Sequence, residues 1–191
     1  MNDKDIVLPK YYSDIKAASD QIGFSMPSDL QTGSLLRTLV SSKRHGQFLE
    51  LGTGTGLSLT WILESMDSQS RLLTIDNNPL FTAIAGRLAG GDPRVTILCA
   101  DAAAWIVENQ QQRFDLIFAD AWPGKYIVLT ETLALLQPGG FYVIDDMLHQ
   151  PNWPEGHQDN VDRLVAQLQM RKDIRLTLMN WSTGIAIVTK I

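Results

Sequence analysis

The stretch Phe48-Leu49-Glu50-Leu51-Gly52-Thr53-Gly54-Thr55-Gly56 decides the fold. A short apolar run carrying one acid gives way to glycine at every second position. The run reads as a strand, the glycines as a tight turn, and the residues beyond as a helix. Glycines at such a junction let the backbone fold sharply and let a ligand approach the main chain. A dinucleotide fingerprint, Gly-x-Gly-x-x-Gly, counted from Gly52 needs its third glycine at position 57. Leu57 stands there, and Gly56 comes one residue early.

Similar runs recur to the C-terminal side: Leu72-Leu73-Thr74-Ile75-Asp76, Val95 to Cys99, Phe114 to Asp120 and Phe141 to Asp145. Continuous rather than alternating apolar runs suit strands buried on both faces, as in a parallel sheet. Helical patterns separate them. Asn78-Pro79 reads as an N-cap with proline at the first helical position, and Asp101 as a second cap. Tyr126 to Gln137 reads as a buried helix stopped by Pro138-Gly139-Gly140, and Val161, Leu164, Val165 and Leu168 form one apolar helix face. Strands alternating with helices predict an α/β sheet with helices on both faces. Ile174 to Met179 and Gly184 to Thr189 leave no room for a helix between them, so they are expected to close the sheet as an antiparallel hairpin. Upstream, helices are expected over 9–21 and 27–42. Residues 1–45 are thus read as a helical lid on a core of 46–191, within one compact domain.

The 191 residues suit one domain with a sizeable core. Lys and Arg number 16 against 21 Asp and Glu, a net charge of −5, which argues against a nucleic-acid partner gripped through its phosphates. No Asn-Pro-Pro-Tyr or Asp-Pro-Pro-Tyr motif of base methylation occurs. Cys99 is the single cysteine and can form no internal disulfide, which is compatible with a reducing compartment. Met1-Asn2-Asp3-Lys4-Asp5 is polar and leads into no signal-like core, and no apolar run approaches a membrane span, so a cytoplasmic protein with no membrane partner is expected.

In open parallel sheets, ligands lie outside the carboxyl ends of the strands. Those ends carry Glu50, Asp76, Asp101, Asp120, Asp145 and Asp146. Setting these six aside leaves 15 acids against 16 bases, so the negative charge belongs to one edge of the sheet. A pyrophosphate is repelled there, with only Lys125 as relief. A cofactor built from adenine, ribose, an ammonium and a sulfonium is welcome, and S-adenosylmethionine has that composition.

With these residues in place, the chain resembles the class I S-adenosylmethionine-dependent methyltransferases over roughly residues 30–190. Phe48 to Gly56 is similar to their first motif. The small branch of catechol- and caffeoyl-CoA-type O-methyltransferases is nearest, through Phe114 to Trp122, Tyr126, and Gly139-Gly140-Phe141-Tyr142-Val143-Ile144-Asp145-Asp146. The resemblance implies a Rossmann-like, doubly wound, seven-stranded sheet: five parallel strands plus the terminal hairpin. It implies cofactor binding by Gly52, Thr53, Gly54 and Gly56 of the loop, by Asp76 with Asn77 at the ribose, by Asp101 and Ala102 at the adenine, and by Asp120. Glu50 is assigned either to the glycine loop or to the cofactor's ammonium. Thr32-Gly33 falls where the family's lid approaches the cofactor. A homodimer is a further expectation of the resemblance.

The same branch holds a divalent cation on acids ending strands four and five plus a following Asn. Here those positions are Asp120, Asp145 and Asp146, an oxygen set suited to Mg²⁺ or Ca²⁺. Asp146 replaces the expected Asn, and a capped turn stays open as the alternative. The branch also places a lysine base three residues after the first acid, where this chain has Pro123. Lys125 lies two residues further on, and an ammonium among carboxylates holds its proton. Asp120, Asp146, Lys125 and His149 are therefore the catalytic candidates, with His157 as another base. Trp122, Tyr126 and Trp153 are candidates for the wall of an acceptor pocket, since aromatic walls suit planar small molecules. The 149–157 loop is expected to overhang the crevice. The expected activity is O-methylation of a small hydroxylated, catechol-like acceptor. An aminopropyltransferase-like enzyme and a non-catalytic S-adenosylmethionine-binding protein are the alternatives.

Overall fold

A computed structural model of the chain describes residues 5–150 and 153–191. Residues 1–4 of the expected lid, and Pro151 and Asn152 of the expected overhanging loop, lie outside the described residues.

The elements run α1 (Tyr12–Gln21), α2 (Leu30–Ser41), β1 (Gln47–Leu51), α3 (Leu57–Ser65), β2 (Arg71–Asp76), α4 (Pro79–Ala89), β3 (Val95–Cys99), α5 (Ala102–Glu108), β4 (Phe114–Ala119), a kinked turn α6 (Trp122–Lys125), α7 (Leu129–Ala134), β5 (Leu136–Ile144), α8 (His157–Met170), β6 (Ile174–Met179) and β7 (Ile185–Lys190). One seven-stranded sheet has the order β3-β2-β1-β4-β5-β7-β6. β1 to β5 pair in parallel, and β7 pairs antiparallel with both β5 and β6. The doubly wound sheet with its terminal hairpin is therefore present, and β7 is the one strand running against the rest.

Neighbouring strand residues feed opposite cores. Phe48, Leu72, Leu116 and Phe118 pack with Leu36 and Val40 of α2 and with Leu59 and Ile62 of α3. Leu49, Leu51, Ile75 and Ile117 pack with Ile106 of α5, Leu133 of α7 and Leu164 of α8. Burial of both faces explains why β1 and β4 lack polar alternation. The boundary expected at residue 45 marks no break in packing: α2 packs on α3, and α1 on α3 and α4. Tyr12 and Ile15 of α1 are buried with Leu57 and Trp61.

Several expectations need correction. The helix expected over 126–137 is only α7, Leu129–Ala134, and Pro138-Gly139-Gly140 does not stop a helix but lies inside β5. The β4–β5 register jumps there, from Phe114 opposite Leu136 to Leu116 opposite Phe141, so these residues bulge out of the ladder. A bulge is where a strand accepts proline and glycine. Leu135 and Leu136 are fully buried because they enter the strand, which is the apolar signal that imitated a longer helix. His157, expected at the end of a loop, opens α8 and is buried. α1 and α2 each begin three residues later than expected, α2 because Asp29 caps it through Gln31 N–H.

Candidate functional site

The sheet order reverses between β1 and β4, so the segments leaving their carboxyl ends turn to opposite faces of the sheet and open a crevice. Gly52 leaves β1 with φ 99°, and a Cβ there would lie 2.8 Å from the Asp120 carbonyl oxygen at the end of β4. Only glycine allows the two strand ends to approach this closely.

A cavity of about 420 Å³ lies over this point. Gly52, Thr53, Gly54 and Asp76 line one half. Asp120, Lys125, Asp145 and Asp146 line its floor, while Trp122, Tyr126, Trp153 and His157 form the far wall. Phe24 to Ser28, joining α1 to α2, close over it. The segment between the two N-terminal helices is thus part of the cavity lining.

In the first half, Asp76 accepts from Gly54 N–H through Oδ2 at 2.8 Å and from Asn78 N–H through Oδ1 at 2.9 Å. A carboxylate offers about four lone-pair positions, so two remain for hydroxyl donors in the cavity. Glu50 is fully buried and does not line the cavity. Its Oε2 accepts from Thr74 Oγ1, which lies 2.6 Å from Thr53 Oγ1, so the acid ties the glycine loop down from beneath. Burial raises the Glu50 carboxyl to about 7, against the opposing pull of its hydroxyl partners. Gly56 opens α3 away from the cavity lining. Asn77 is exposed, and Asp101 is exposed with its Oδ1 accepting from Ala103 and Ala104 N–H. Neither lines the cavity, and Ala102 is buried beside Asp101.

On the floor, Lys125 Nζ lies 3.7 Å from Asp120 Oδ1, and the lysine is only 4% exposed. Ser28 Oγ donates to Asp120 Oδ2 at 2.9 Å. Asp145 Oδ1 accepts from Thr183 Oγ1, from Thr32 Oγ1 at 3.4 Å and from Asp146 N–H at 2.8 Å. Burial pushes the Asp120 carboxyl up, Lys125 pulls it back, and Asp145 and Asp146 add to the rise. Burial and then Asp146 push Asp145 up. Asp146 holds φ 56°, a left-handed conformation that Asn and Asp tolerate best among side-chain-bearing residues.

Among the described residues, no three His, Cys, Asp or Glu side chains converge to hold a metal ion. Asp120 meets a lysine and a serine, and Asp145 meets two threonines and a backbone amide. Two of the three acids expected to hold Mg²⁺ or Ca²⁺ are thus engaged by protein groups, a poor fit for a resident divalent ion.

The wall is a stack of rings. Trp122 meets Tyr126 edge-on at 5.5 Å, and Trp153 lies 4.4 Å from the His157 ring. His157 Nε2 is 3.1 Å from Tyr126 Oη, while His157 Nδ1 is buried with no partner. Burial raises Tyr126 to about 12 and lowers His157. His149 is exposed, touches Trp153 and is not among the cavity-lining residues. Thr183 was missed by sequence reasoning, yet the expected hairpin held the signal. β7 runs antiparallel beside β5, so the turn before it must return to the end of β5, next to Asp145.

An O-methyltransferase family model matches residues 11–191. Catechol O-methyltransferase B of Danio rerio is 29% identical over 62% of this chain and 48% of its own length. Catechol O-methyltransferase of Sus scrofa is 30% identical over 61% of this chain and 68% of its own. The chain spans about half the length of most of the curated relatives it matches. Among solved structures, an O-methyltransferase of Bacillus cereus in complex with SAH superposes with a TM-score of 0.85 at 18% identity, covering 99% of this chain and 94% of that one. An O-methyltransferase of tomaymycin synthesis from Streptomyces achromogenes, in complex with SAM, gives a TM-score of 0.83 at 23% identity over 98% and 92%. At these identities the solved structures establish the fold.

Proposed function

Because the chain belongs to the O-methyltransferase family, we propose that it moves the methyl group of S-adenosylmethionine onto an oxygen of a small, planar, hydroxylated acceptor. One observation carries this reading. A single cavity joins a glycine loop and a carboxylate with spare acceptor positions to an aromatic wall, with a buried Lys125–Asp120 pair between them. The catechol O-methyltransferases among its relatives support oxygen as the methyl acceptor.

Asp76 and the loop at Gly52 to Gly54 fit a ribose and its adjoining chain, because the main chain is bare of Cβ atoms and Asp76 can still accept two hydroxyl donors. Bound there, S-adenosylmethionine supplies a sulfonium methyl group, which leaves for the acceptor oxygen while the C–S electron pair stays on sulfur. Trp122, Tyr126 and Trp153 hold the acceptor flat, so that its oxygen meets the methyl carbon in line. Such positioning is worth several kcal/mol of the barrier. Asp146, whose side chain lies at the cavity floor, takes the hydroxyl proton as the C–O bond forms. Phe24 to Ser28 exclude water, which favours a step that neutralises opposite charges.

The test is transfer of a labelled methyl group from S-adenosylmethionine to a panel of catechols, simple phenols, carboxylic acids and amines. Label is expected on oxygen. Label on nitrogen alone, or cofactor binding without transfer to any oxygen acceptor, overturns the proposal.

A further inference from the structure

The floor of the site departs from its family resemblance in one coordinated way. Pro123 stands where the resemblance implies a lysine, and a lysine appears two residues later. The backbone is shaped to deliver it. Pro123 (φ −59°, ψ 133°) and Gly124 (φ 89°, ψ −38°) break the turn after Trp122. Gly124 N–H donates to the Ile127 carbonyl at 2.9 Å, and the Gly124 carbonyl accepts from buried Tyr142 Oη at 2.6 Å. A Cβ at position 124 would lie 2.7 Å from Leu51 Cδ1, so this path is open to glycine alone. Lys125 leaves this bend buried, with Nζ 3.7 Å from Asp120.

Burial of an ammonium costs several kcal/mol unless a partner and hydrogen bonds offset it. Here the partner is Asp120, on a cavity floor that Asp145 and Asp146 also line. The other polar groups agree. Ser28 engages the second oxygen of Asp120, and Thr183, Thr32 and the Asp146 amide converge on one oxygen of Asp145. Oxygens of two of the three acids that the resemblance assigns to a divalent ion are thereby engaged by protein groups.

We propose that the Lys125 ammonium is the resident cation of this site, standing where the family resemblance places a divalent metal, so that methyl transfer here needs no metal. The inference rests on the methyltransferase reading for its role but not for its geometry. Two consequences follow for the acceptor. An ammonium is a point charge whose three donors impose no chelate geometry, whereas a divalent ion with open coordination positions is best filled by two adjacent oxygens. A lone phenolic or carboxyl oxygen therefore suffices, and a vicinal diol gains nothing.

Manganese(II) is the probe. Its binding is followed by electron paramagnetic resonance on the full chain with S-adenosylhomocysteine present, for the wild type and for Lys125→Met, which keeps the length of the side chain and removes its charge. The wild type is expected to leave Mn²⁺ free up to ~1 mM, the weak end of protein oxygen sites. Lys125→Met is expected to bind it at least roughly tenfold more tightly, since the carboxylates lose their internal partner. Tight binding by the wild type overturns the proposal. So does failure of a folded Lys125→Met to gain affinity, because the carboxylates are then no cation site at all. If that variant does not fold, wild-type Mn²⁺ binding together with the effect of EDTA on labelled methyl transfer decides. If no acceptor is methylated, the Mn²⁺ titrations still stand, which separates this inference from the proposed activity.

Discussion

Asp76 and Glu50 stand near the ends of adjacent strands and do different work. Asp76 faces the cavity and spends half of its acceptor capacity on Gly54 and Asn78 N–H. Asp76→Asn removes one accepting oxygen from what remains, and hydrogen bonds to a charged group are worth about 1.5–3 kcal/mol. Calorimetry should show S-adenosylmethionine affinity falling roughly 10- to 100-fold. Glu50 acts on stability instead. Its carboxyl rises from 4.5 to about 7 on burial, so the folded state binds the proton more tightly than the unfolded state. Between those two values the unfolded chain has lost its proton and the folded chain has not. Stability from this group therefore falls as pH rises, by roughly 2–3 kcal/mol once the pH passes the folded value. Urea melts at pH 5 and pH 8 should show that decline in the wild type, and Glu50→Gln, which cannot ionise, should lack it. An equal decline in both proteins would assign the effect elsewhere. The sequence marks both acids as special, because Asp76 ends an apolar run and Glu50 interrupts one just before its end. Which one faces a ligand depends on strand pleat and on the threonines at 53 and 74, and no spacing rule reports that. Asp101 makes the same point: a strand-end acid and a helix cap look alike in sequence, and the structure shows its oxygen engaged in the cap.

At the scale of elements, the apolar runs announced six of the seven strands nearly to the residue; β1 and β4 are buried on both faces and need little else, while the edge strands β3 and β6 keep enough apolar residues to be read. β5 was announced from Phe141 onward, and its first half was hidden by Pro138-Gly139-Gly140, which stops helices and bulges strands alike. Only the partner strand decides between those uses, and pairing with β4 is not written locally. The bend at Pro123-Gly124 is similar. Proline and glycine announce a turn, but its direction comes from Leu51 beneath it and Tyr142 beside it. Gly124→Ala puts a side chain on a positive φ and against Leu51, so both strain and overpacking apply. Denaturant titration should show a loss of about 1–3 kcal/mol. The milder Tyr142→Phe removes one buried donor to the Gly124 carbonyl and should cost about 1 kcal/mol. Both should reduce labelled methyl transfer by more than they reduce cofactor affinity, since the bend aims Lys125 and leaves the glycine loop untouched. Equal losses in both quantities would mean that the bend only holds the fold together.

The whole molecule couples its N-terminal helices to the crevice through three contacts that lie far apart in sequence. Ser19 Oγ of α1 donates to Thr55 Oγ1 of the glycine loop at 2.7 Å. Phe24 sits over Gly54, where a Cβ would come within 3.0 Å of its ring, and packs edge-on against Phe81 of α4 at 5.0 Å. Ser28 then reaches the Asp120 carboxylate. The segment 24–28 therefore has one side on the glycine-loop half of the cavity and one on its floor, while Met26 is 63% exposed. A ligand filling the cavity adds contacts to this segment that solvent cannot supply. Ligand at ~100 times its dissociation constant stabilises the folded state by about 2.7 kcal/mol. For a chain of this size that raises Tm by roughly 5–10 °C. S-adenosylmethionine should produce that rise and NAD should not. Limited proteolysis should report the same coupling locally: cleavage within 24–28 should slow on adding S-adenosylmethionine, while cleavage at the β6–β7 turn around Asn180 slows far less. If the cofactor raised Tm but protected both sites equally, the gain would be global stability alone, and the 24–28 segment would have no part in closing the cavity.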